Sequence, residues 1–313
     1  MIEATHLTKQ YGNANALFDV NFSIDKGEVV GFLGPNGAGK STTMNLLCGY
    51  LTPSWGQVKI AGIDMVENPL EAKRHIGYLP EIPPLYMDMT VAEQLEFACE
   101  LRGLKLKKPQ LRDYIDSLCA RTQVLDTRDR LIRNLSKGYR QRVSVTQLLV
   151  GEPEILILDE PTVGLDPRQI REFRDLLSEL SHEHTIILSS HILSEISSVC
   201  KRILVFYEGM LIADGEPQNL QEQLAGHRVL EVEISGEEAG VSALLQGIPD
   251  VLAVKPVGNG VYQVAHRMGT DIRGALYRTL RPTGYELLMM KPEEVSLESL
   301  YLRITEHEQE MEA

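Results

Sequence analysis

The segment Gly34-Pro35-Asn36-Gly37-Ala38-Gly39-Lys40-Ser41-Thr42 follows directly on the apolar run from Val29 to Leu33. It reads as strand, glycine loop, helix. Such a loop suits a phosphate: the backbone must turn its N–H groups inward, which side chains would obstruct, and a helix N-terminus adds a favourable dipole for an anion. Lys40 would reach the β and γ phosphates of a nucleotide, and Ser41 would hold Mg²⁺ through its hydroxyl. The alternative is a glycine turn with an exposed lysine. A site of this kind needs a second metal ligand at the end of a neighbouring strand. Asp159 and Glu160 supply one, because they follow the apolar run Ile155-Leu156-Ile157-Leu158. Such a run describes a strand buried on both faces, and ligands bind at the carboxyl ends of strands in open α/β sheets. Asp159 would coordinate Mg²⁺ or its water, and Glu160 would polarise the water that attacks the γ-phosphate. Taken alone, the two acids read more readily as an ordinary turn and helix start, and the glycine loop reverses that balance.

A further cluster, Leu135-Ser136-Lys137-Gly138-Tyr139-Arg140-Gln141-Arg142, stands just before a predicted helix. Ser136 fits an N-cap. The free amides of a helix start beside three cations also make a second candidate anion site.

The elements that must position these residues are legible in part. From residue 1 to about 225, short strand-like runs alternate with helical patterns, which favours an α/β layered domain with a largely parallel sheet. Val91, Leu95, Ala98 and Arg102 mark one helix, and Leu111, Tyr114, Ile115, Leu118 and Cys119 mark another. No strands separate them, so residues 88–150 read as a helical subdomain inserted in the α/β core. Asp166-Pro167 opens a helix as N-cap and first position, with Ile170, Phe173, Leu177 and Leu180 on one face. Past 226 the pattern restarts. Strands around 230–234, 251–257, 260–266 and 285–291 alternate with helices carrying Val241, Leu244, Leu245 and Ile248 and then Ile272, Ala275, Leu276 and Thr279. The order β-α-β-β-α-β is that of a ferredoxin-like unit over 226–305. A last helix is expected at Leu297, Leu300, Tyr301 and Ile304, and residues 306–313 form a charged, frayed tail.

Composition bounds the function. A chain of 313 residues with 43% apolar content is long enough for about two domains. Its net charge of −13 has the wrong sign for wrapping nucleic acid or coating an anionic lipid surface, so bound phosphate must be held by a local site. The four cysteines lie at long irregular spacings, which favours reduced core residues over a zinc site or disulfide framework. No apolar run approaches the ~18 residues of a membrane span, and Met1-Ile2-Glu3-Ala4 lacks the basic start of a secretory signal. The expectation is an intracellular protein.

Taken together, the glycine loop, the Ser136 segment, the Asp159-Glu160 pair, Gly164-Leu165-Asp166 and His191 after the strand at 185–189 stand in a specific order and spacing. They resemble the nucleotide-binding subunits of ABC transporters over about residues 1–225. The combination Ile76-Gly77-Tyr78-Leu79-Pro80-Glu81 with Leu135–Tyr139 is similar to the gliding-motility-associated and multidrug branch of exporter ATPases. The resemblance implies a P-loop NTPase with a RecA-like core, an antiparallel β subdomain and an inserted helical subdomain. It implies ATP and Mg²⁺ as ligands, a head-to-tail dimer of two copies around two ATP molecules, and a separate polytopic membrane permease. The chain would then be cytoplasmic and peripheral on the inner face of the membrane, and no nucleic-acid partner is expected.

By position, Tyr11 matches the aromatic that stacks on adenine, and Ser136 and Gly138 match the signature that closes on the γ-phosphate of the opposite subunit. Asp166 matches the loop crossing between the two sites, and His191 the switch histidine; alone, His191 would read as an ordinary structural histidine. Pro83-Pro84-Leu85-Tyr86 falls where the family contacts its membrane partner. Three positions depart from the family pattern: Lys137 for glycine, Tyr139 for glutamine, and Glu81 for the glutamine that senses Mg²⁺. A carboxylate at 81 binds the metal more strongly but repels the γ-phosphate. Two rival readings remain at this level, a soluble ABC-type ATPase acting on ribosomes or DNA and an ATP-gated regulator with little turnover.

Overall fold

The computed structural model describes residues 1–217, 219–220, 227–267 and 269–293. It divides into two compact units, Met1–Gly215 and Glu216–Ala313. The first begins with strands β1 (Ile2–Tyr11), β2 (Ala14–Ile24) and β3 (Val29–Leu33), helix α1 (Lys40–Leu47), strands β4 (Trp55–Ile60) and β5 (Ile63–Asp64), helix α2 (Pro69–Arg74) and strand β6 (Ile76–Leu79). Three helices follow, α3 (Val91–Leu101), α4 (Lys108–Arg121) and α5 (Lys137–Leu148). The unit ends with β7 (Ile155–Leu158), α6 (Pro167–Leu180), β8 (Thr185–Ser190), α7 (Leu193–Ser197), β9 (Arg202–Tyr207) and β10 (Met210–Gly215).

One sheet, in the order β10-β9-β3-β8-β7-β6, carries the site. Strands β9, β3, β8, β7 and β6 run parallel and β10 closes the edge antiparallel. All four side chains of β7 and all six of β8 are buried, as a sheet covered on both faces requires. Because the strands are parallel, the segments leaving β3, β8, β7 and β6 emerge side by side at one end. A second, antiparallel sheet, β2-β1-β4-β5, shares a core with the first. Phe22 meets Phe32 edge-on at 5.7 Å between ring centroids, and Phe32 meets Phe206 at 4.9 Å. Both distances lie in the favourable range for aromatic pairs.

Between β6 and β7 the chain is helical. Thr90 and Glu93 form a reciprocal capping box at the start of α3. Gln94, 1% exposed, accepts the Tyr86 amide and donates to Gln147 Oε1 at 2.8 Å, joining α3, α5 and the loop ahead of α3.

The second unit folds as β11 (His227–Ser235), α8 (Glu238–Gln246), β12 (Val251–Gly258), β13 (Val261–Arg267), α9 (Arg273–Leu280) and β14 (Glu286–Glu293). Its sheet order, β12-β13-β11-β14 with every neighbour antiparallel, is the ferredoxin-like arrangement expected from the pattern. Leu230, Val232 and Ile234 from β11 pack with Tyr262, Val264, Val241, Leu245 and Leu276 in its core. The helix expected at Leu297–Ile304 and the tail at 306–313 lie outside the described residues. Cys48, Cys99, Cys119 and Cys200 are buried free thiols. Among the described residues, no helix is long and apolar enough to cross a membrane.

Candidate functional site: a glycine-loop cleft and a second, capped cleft

The chain leaves β3 at Gly34, packed so tightly that a Cβ there would stand 2.5 Å from the Phe206 carbonyl oxygen. Gly39, at φ 103°, is the N-cap of α1 and brings no side-chain cap. A left-handed backbone at that point favours glycine, and the first amides of the helix keep no competing side-chain acceptor. Ala38 is buried behind the loop. Pro35, Asn36, Gly37, Gly39, Lys40, Ser41 and Thr42 line a cleft of about 340 Å³, joined by Glu81, Glu160, Val163 and His191. Lys40 is 5% exposed, and its Nζ donates to the carbonyl oxygens of Gly34 at 2.6 Å and Pro35 at 3.1 Å. Burial pushes its ammonium below the ordinary lysine range, while the carboxylates of Glu160, Asp159 and Glu81 pull the other way.

The acids arrive by register. Leu158 on β7 faces Leu188 on β8, so Asp159 comes level with Ser189. Asp159 is 4% exposed; its amide donates to the Leu79 carbonyl at 2.8 Å and its Oδ1 accepts the Ser189 hydroxyl at 2.6 Å. Glu160 sits at φ 45°, a left-handed conformation uncommon outside glycine. Its Oε2 lies 3.1 Å from His191 Nδ1, and its Oε1 lies 3.6 Å from Lys40 Nζ. The second distance is too long for a hydrogen bond, and Oε1 is a buried oxygen with no hydrogen-bond partner. A base candidate is thereby held between an ammonium and an imidazole with one lone-pair face uncommitted.

A second cleft of about 600 Å³ shares no lining residue with the first. It is built where α5 and α6 begin. Ser136 caps α5 by accepting the Tyr139 amide at 3.3 Å, and Asp166 caps α6 by accepting the amides of Arg168 and Gln169 at 2.9 and 2.8 Å. Gly138 packs on the second helix, since a Cβ would stand 2.9 Å from Gln169 Cδ. Val163 lines the first cleft and Leu165 the second, so the short loop between them runs from one to the other. The side chain of Lys137 lies directly against Gly164 in that loop.

Comparisons with known proteins decide the family. Residues 17–163 match the ABC transporter family. The bacitracin transport ATP-binding protein BcrA of Bacillus licheniformis is 32% identical over 306 residues, 97% of each chain. The chain belongs to the ATP-binding subunits of ABC transporters. Nod factor export ATP-binding protein I of Rhizobium meliloti is 30% identical over 308 residues, covering 98% of this chain and 88% of that one. The dimeric structure of MJ0796, a bacterial ABC transporter cassette, superposes with a TM-score of 0.63 at 25% identity, covering 69% of this chain and 98% of that one. The larger unit is accordingly an ABC cassette, and this ABC subunit is an ATPase of the P-loop class.

Magnesium suits the donors this cassette offers. Ser41 provides a hydroxyl on the first turn of α1, Asp159 a buried carboxylate, and Glu81 a carboxylate lining the cleft. All are hard oxygen donors, and one or two carboxylates completed by substrate phosphates and water is the usual way Mg²⁺ is held. Asp159 itself does not line the cleft; it directly precedes Glu160, which does, and is hydrogen-bonded to Ser189.

The structure thus gathers Lys40, Ser41, Glu81, Glu160 and His191 on one cleft and Ser136, Gly138 and Asp166 on the other. Tyr11 joins neither: it ends β1, half exposed, with Lys9 Nζ 5.3 Å from its ring centroid. Residues that pattern reading passed over include Ser189, Ser190, Thr162 and Glu195. Glu195 Oε2 accepts the hydroxyls of Thr162 at 2.5 Å and Ser190 at 3.1 Å. The available signal was two hydroxyls following the apolar run Ile186–Leu188 just ahead of His191.

Proposed function

We propose that the glycine-loop cleft of this ATPase subunit holds Mg²⁺-ATP, with Glu160 as the general base of hydrolysis. The observation carrying this reading is the placement of Glu160: a buried carboxylate with one unbonded oxygen, flanked by Lys40 and His191 at the mouth of the loop. The loop amides and Lys40 bind the phosphates, the ammonium exchanging its carbonyl partners for phosphate oxygens. Ser41 and Asp159 are the residues that would hold the metal, which would supply charge neutralisation on the phosphates. Glu160 accepts a proton from the attacking water, and His191, bonded to its other oxygen, fixes the carboxylate and reaches toward the γ-phosphate. Glu81, which lines the same cleft, would contact the metal or its water. Tyr11 stacks on adenine from outside the phosphate cleft.

The second cleft, with Ser136, Gly138 and Asp166, meets the γ-phosphate bound by another copy, so two chains enclose two nucleotides head to tail. Separation of the pair after hydrolysis then moves a polytopic permease that docks beside Pro83–Tyr86, at the inner face of the cell membrane. Export is the favoured direction, on the name of the Nod factor export relative. In this reading the cassette spans 1–225 with its helical subdomain at 88–150, and 226–305 is an accessory domain. The net charge of −13 disfavours a nucleic-acid partner.

Steady-state phosphate release tests the chemistry. The wild-type chain should release phosphate in a Mg²⁺-dependent manner, and Glu160→Gln should bind ATP with turnover lost. Near-normal turnover in that variant would remove Glu160 as the base.

A further inference from the structure

Strand β8 opens on Thr185, continues apolar through Ile186, Ile187 and Leu188, and ends on two hydroxyl residues, Ser189 and Ser190, which precede His191. Side chains along a strand alternate between faces, so Ser189 is turned with His191 toward the acids while Ser190 is turned away. The contacts follow that division. Ser189 is fully buried; its Oγ donates to Asp159 Oδ1 at 2.6 Å and accepts the Glu160 amide at 2.8 Å. One hydroxyl therefore bonds both members of the acid pair. On the other face Ser190 Oγ, 1% exposed, donates to Glu195 Oε2 and accepts the Ile192 amide at 3.0 Å, touching neither acid.

The chemistry of those two bonds is specific. A carboxylate that gives one oxygen to a buried O–H has its plane fixed, leaving Oδ2 of Asp159 as the oxygen free to face a cation. The amide bond acts on the backbone. Glu160 occupies a left-handed conformation at φ 45°, and such a conformation persists only where the surroundings hold it. The Ser189 hydroxyl supplies such a hold at the amide of the residue concerned, and thereby directs the Glu160 carboxylate between Lys40 and His191.

We propose that Ser189 is a positioning residue for ATP hydrolysis, its hydroxyl orienting Asp159 toward Mg²⁺ and holding the backbone that aims Glu160 at the attacking water. The inference rests on the roles given above to Asp159 and Glu160. It ascribes to β8 a part in metal affinity as well as the presentation of His191.

The test compares Ser189→Ala and Ser189→Cys, the latter keeping the volume with a weak donor, against Ser190→Ala, which removes an equally buried hydroxyl from the opposite face. Metal affinity is read by binding alone: a fluorescent ATP analogue is titrated onto each variant in the Glu160→Gln background, in EDTA and across a Mg²⁺ series. Turnover is read as kcat and KM in the hydrolysing background, and folding by thermal midpoint.

Removing a hydrogen-bond partner of a metal ligand costs about 10- to 100-fold in metal affinity or activity. Both Ser189 variants should therefore need about tenfold more Mg²⁺ for half-maximal tightening of nucleotide binding and lose about tenfold or more in kcat. Their KM for ATP and their affinity in EDTA should stay at wild-type values. Ser190→Ala should keep the wild-type Mg²⁺ requirement. Wild-type Mg²⁺ dependence and kcat in Ser189→Cys would overturn the proposal, as would an equal Mg²⁺ shift in Ser190→Ala, which is the mark of a structural role. If the wild-type chain shows no Mg²⁺-dependent phosphate release, the reading of the whole cleft falls and Ser189 with it. If the wild type hydrolyses and Glu160→Gln does not, indifference at Ser189 removes this inference alone.

Discussion

The two clefts of the larger unit are assembled from similar parts, a helix start, a glycine and nearby cations, yet their polar groups are in opposite conditions. In the glycine-loop cleft, α1 begins at a glycine with no side-chain cap, the Lys40 ammonium leans on two carbonyls, and Glu160 keeps a buried oxygen unbonded. In the other cleft, Ser136 and Asp166 already cap their helices with their own oxygens. Buried polar groups left unpaired are costly and helix starts attract anions. The first cleft is thus organised around a charged ligand, whereas the second is complete without one. In the reading proposed above, another copy carries the phosphate to the second cleft, and the two clefts are halves of a shared site.

Breaking the first cleft should have the largest consequences. Glu160→Gln should lower kcat at least about 100-fold, the scale of a lost general base, with ATP affinity retained in a calorimetric titration. Lys40→Ala removes a buried cation facing three carboxylates, and ATP affinity itself should fall by about 100-fold, close to 3 kcal/mol. Unchanged affinity in that variant would place the nucleotide elsewhere. Ser136→Ala addresses the second cleft. Loss of the cap should cost about 1 kcal/mol and about 2–4 °C in melting temperature. Turnover should fall with protein dilution while ATP affinity of the single chain stays constant; a matching loss of affinity would merge the two clefts into one site.

The smallest effect is expected at the far end of β7. Glu154 stands just before that strand, its carboxyl held below the ordinary glutamate range first by the His75 bond at 2.9 Å and then by Lys26 at 3.3 Å. A lowered carboxyl contributes stability that is full above its unfolded-state pKa and is lost as the pH falls through the lowered value, so the contribution is present at neutral pH and declines once the pH drops below the ordinary glutamate range of about 4.3. The group is well exposed, so the effect is small: Glu154→Gln should lower the melting temperature slightly at pH 7, with a deficit that shrinks as the pH is taken below about 4, and with phosphate release unchanged. A drop in turnover would show that the acid pair is sensitive to either end of its strand.

Much of this organisation was legible in the residues themselves. The loop from Gly34 to Thr42 declares itself through glycine spacing between an apolar run and a helix, and Ile155–Leu158 reads as a doubly buried strand because nothing polar interrupts it before Asp159. Asp166 and Ser136 are the N-caps their types suggested. In the smaller unit, alternation of Leu230, Val232 and Ile234 with glutamates marked a strand with one buried face, and the β-α-β-β-α-β order appeared with its expected sheet. The rest depends on register. Ser189 looks like any hydroxyl at a strand end until β7 and β8 are aligned, and only then does it face Asp159. Glu195 meets Thr162 across 33 residues of sequence, and no local spacing encodes that bond. The separation of Asp166 from the glycine loop, with Ser136 and Gly138 beside it instead, likewise follows from packing of α5 on α6.

Sedimentation of the Glu160→Gln chain with and without Mg²⁺-ATP puts the shared-site account to its sharpest trial. A monomer that becomes a stable dimer on adding Mg²⁺-ATP, and reverts to a monomer when Ser136 is also replaced by Ala, is the expected result. A chain saturated with ATP that sediments as a monomer at all concentrations, or a dimer indifferent to nucleotide, would contradict it.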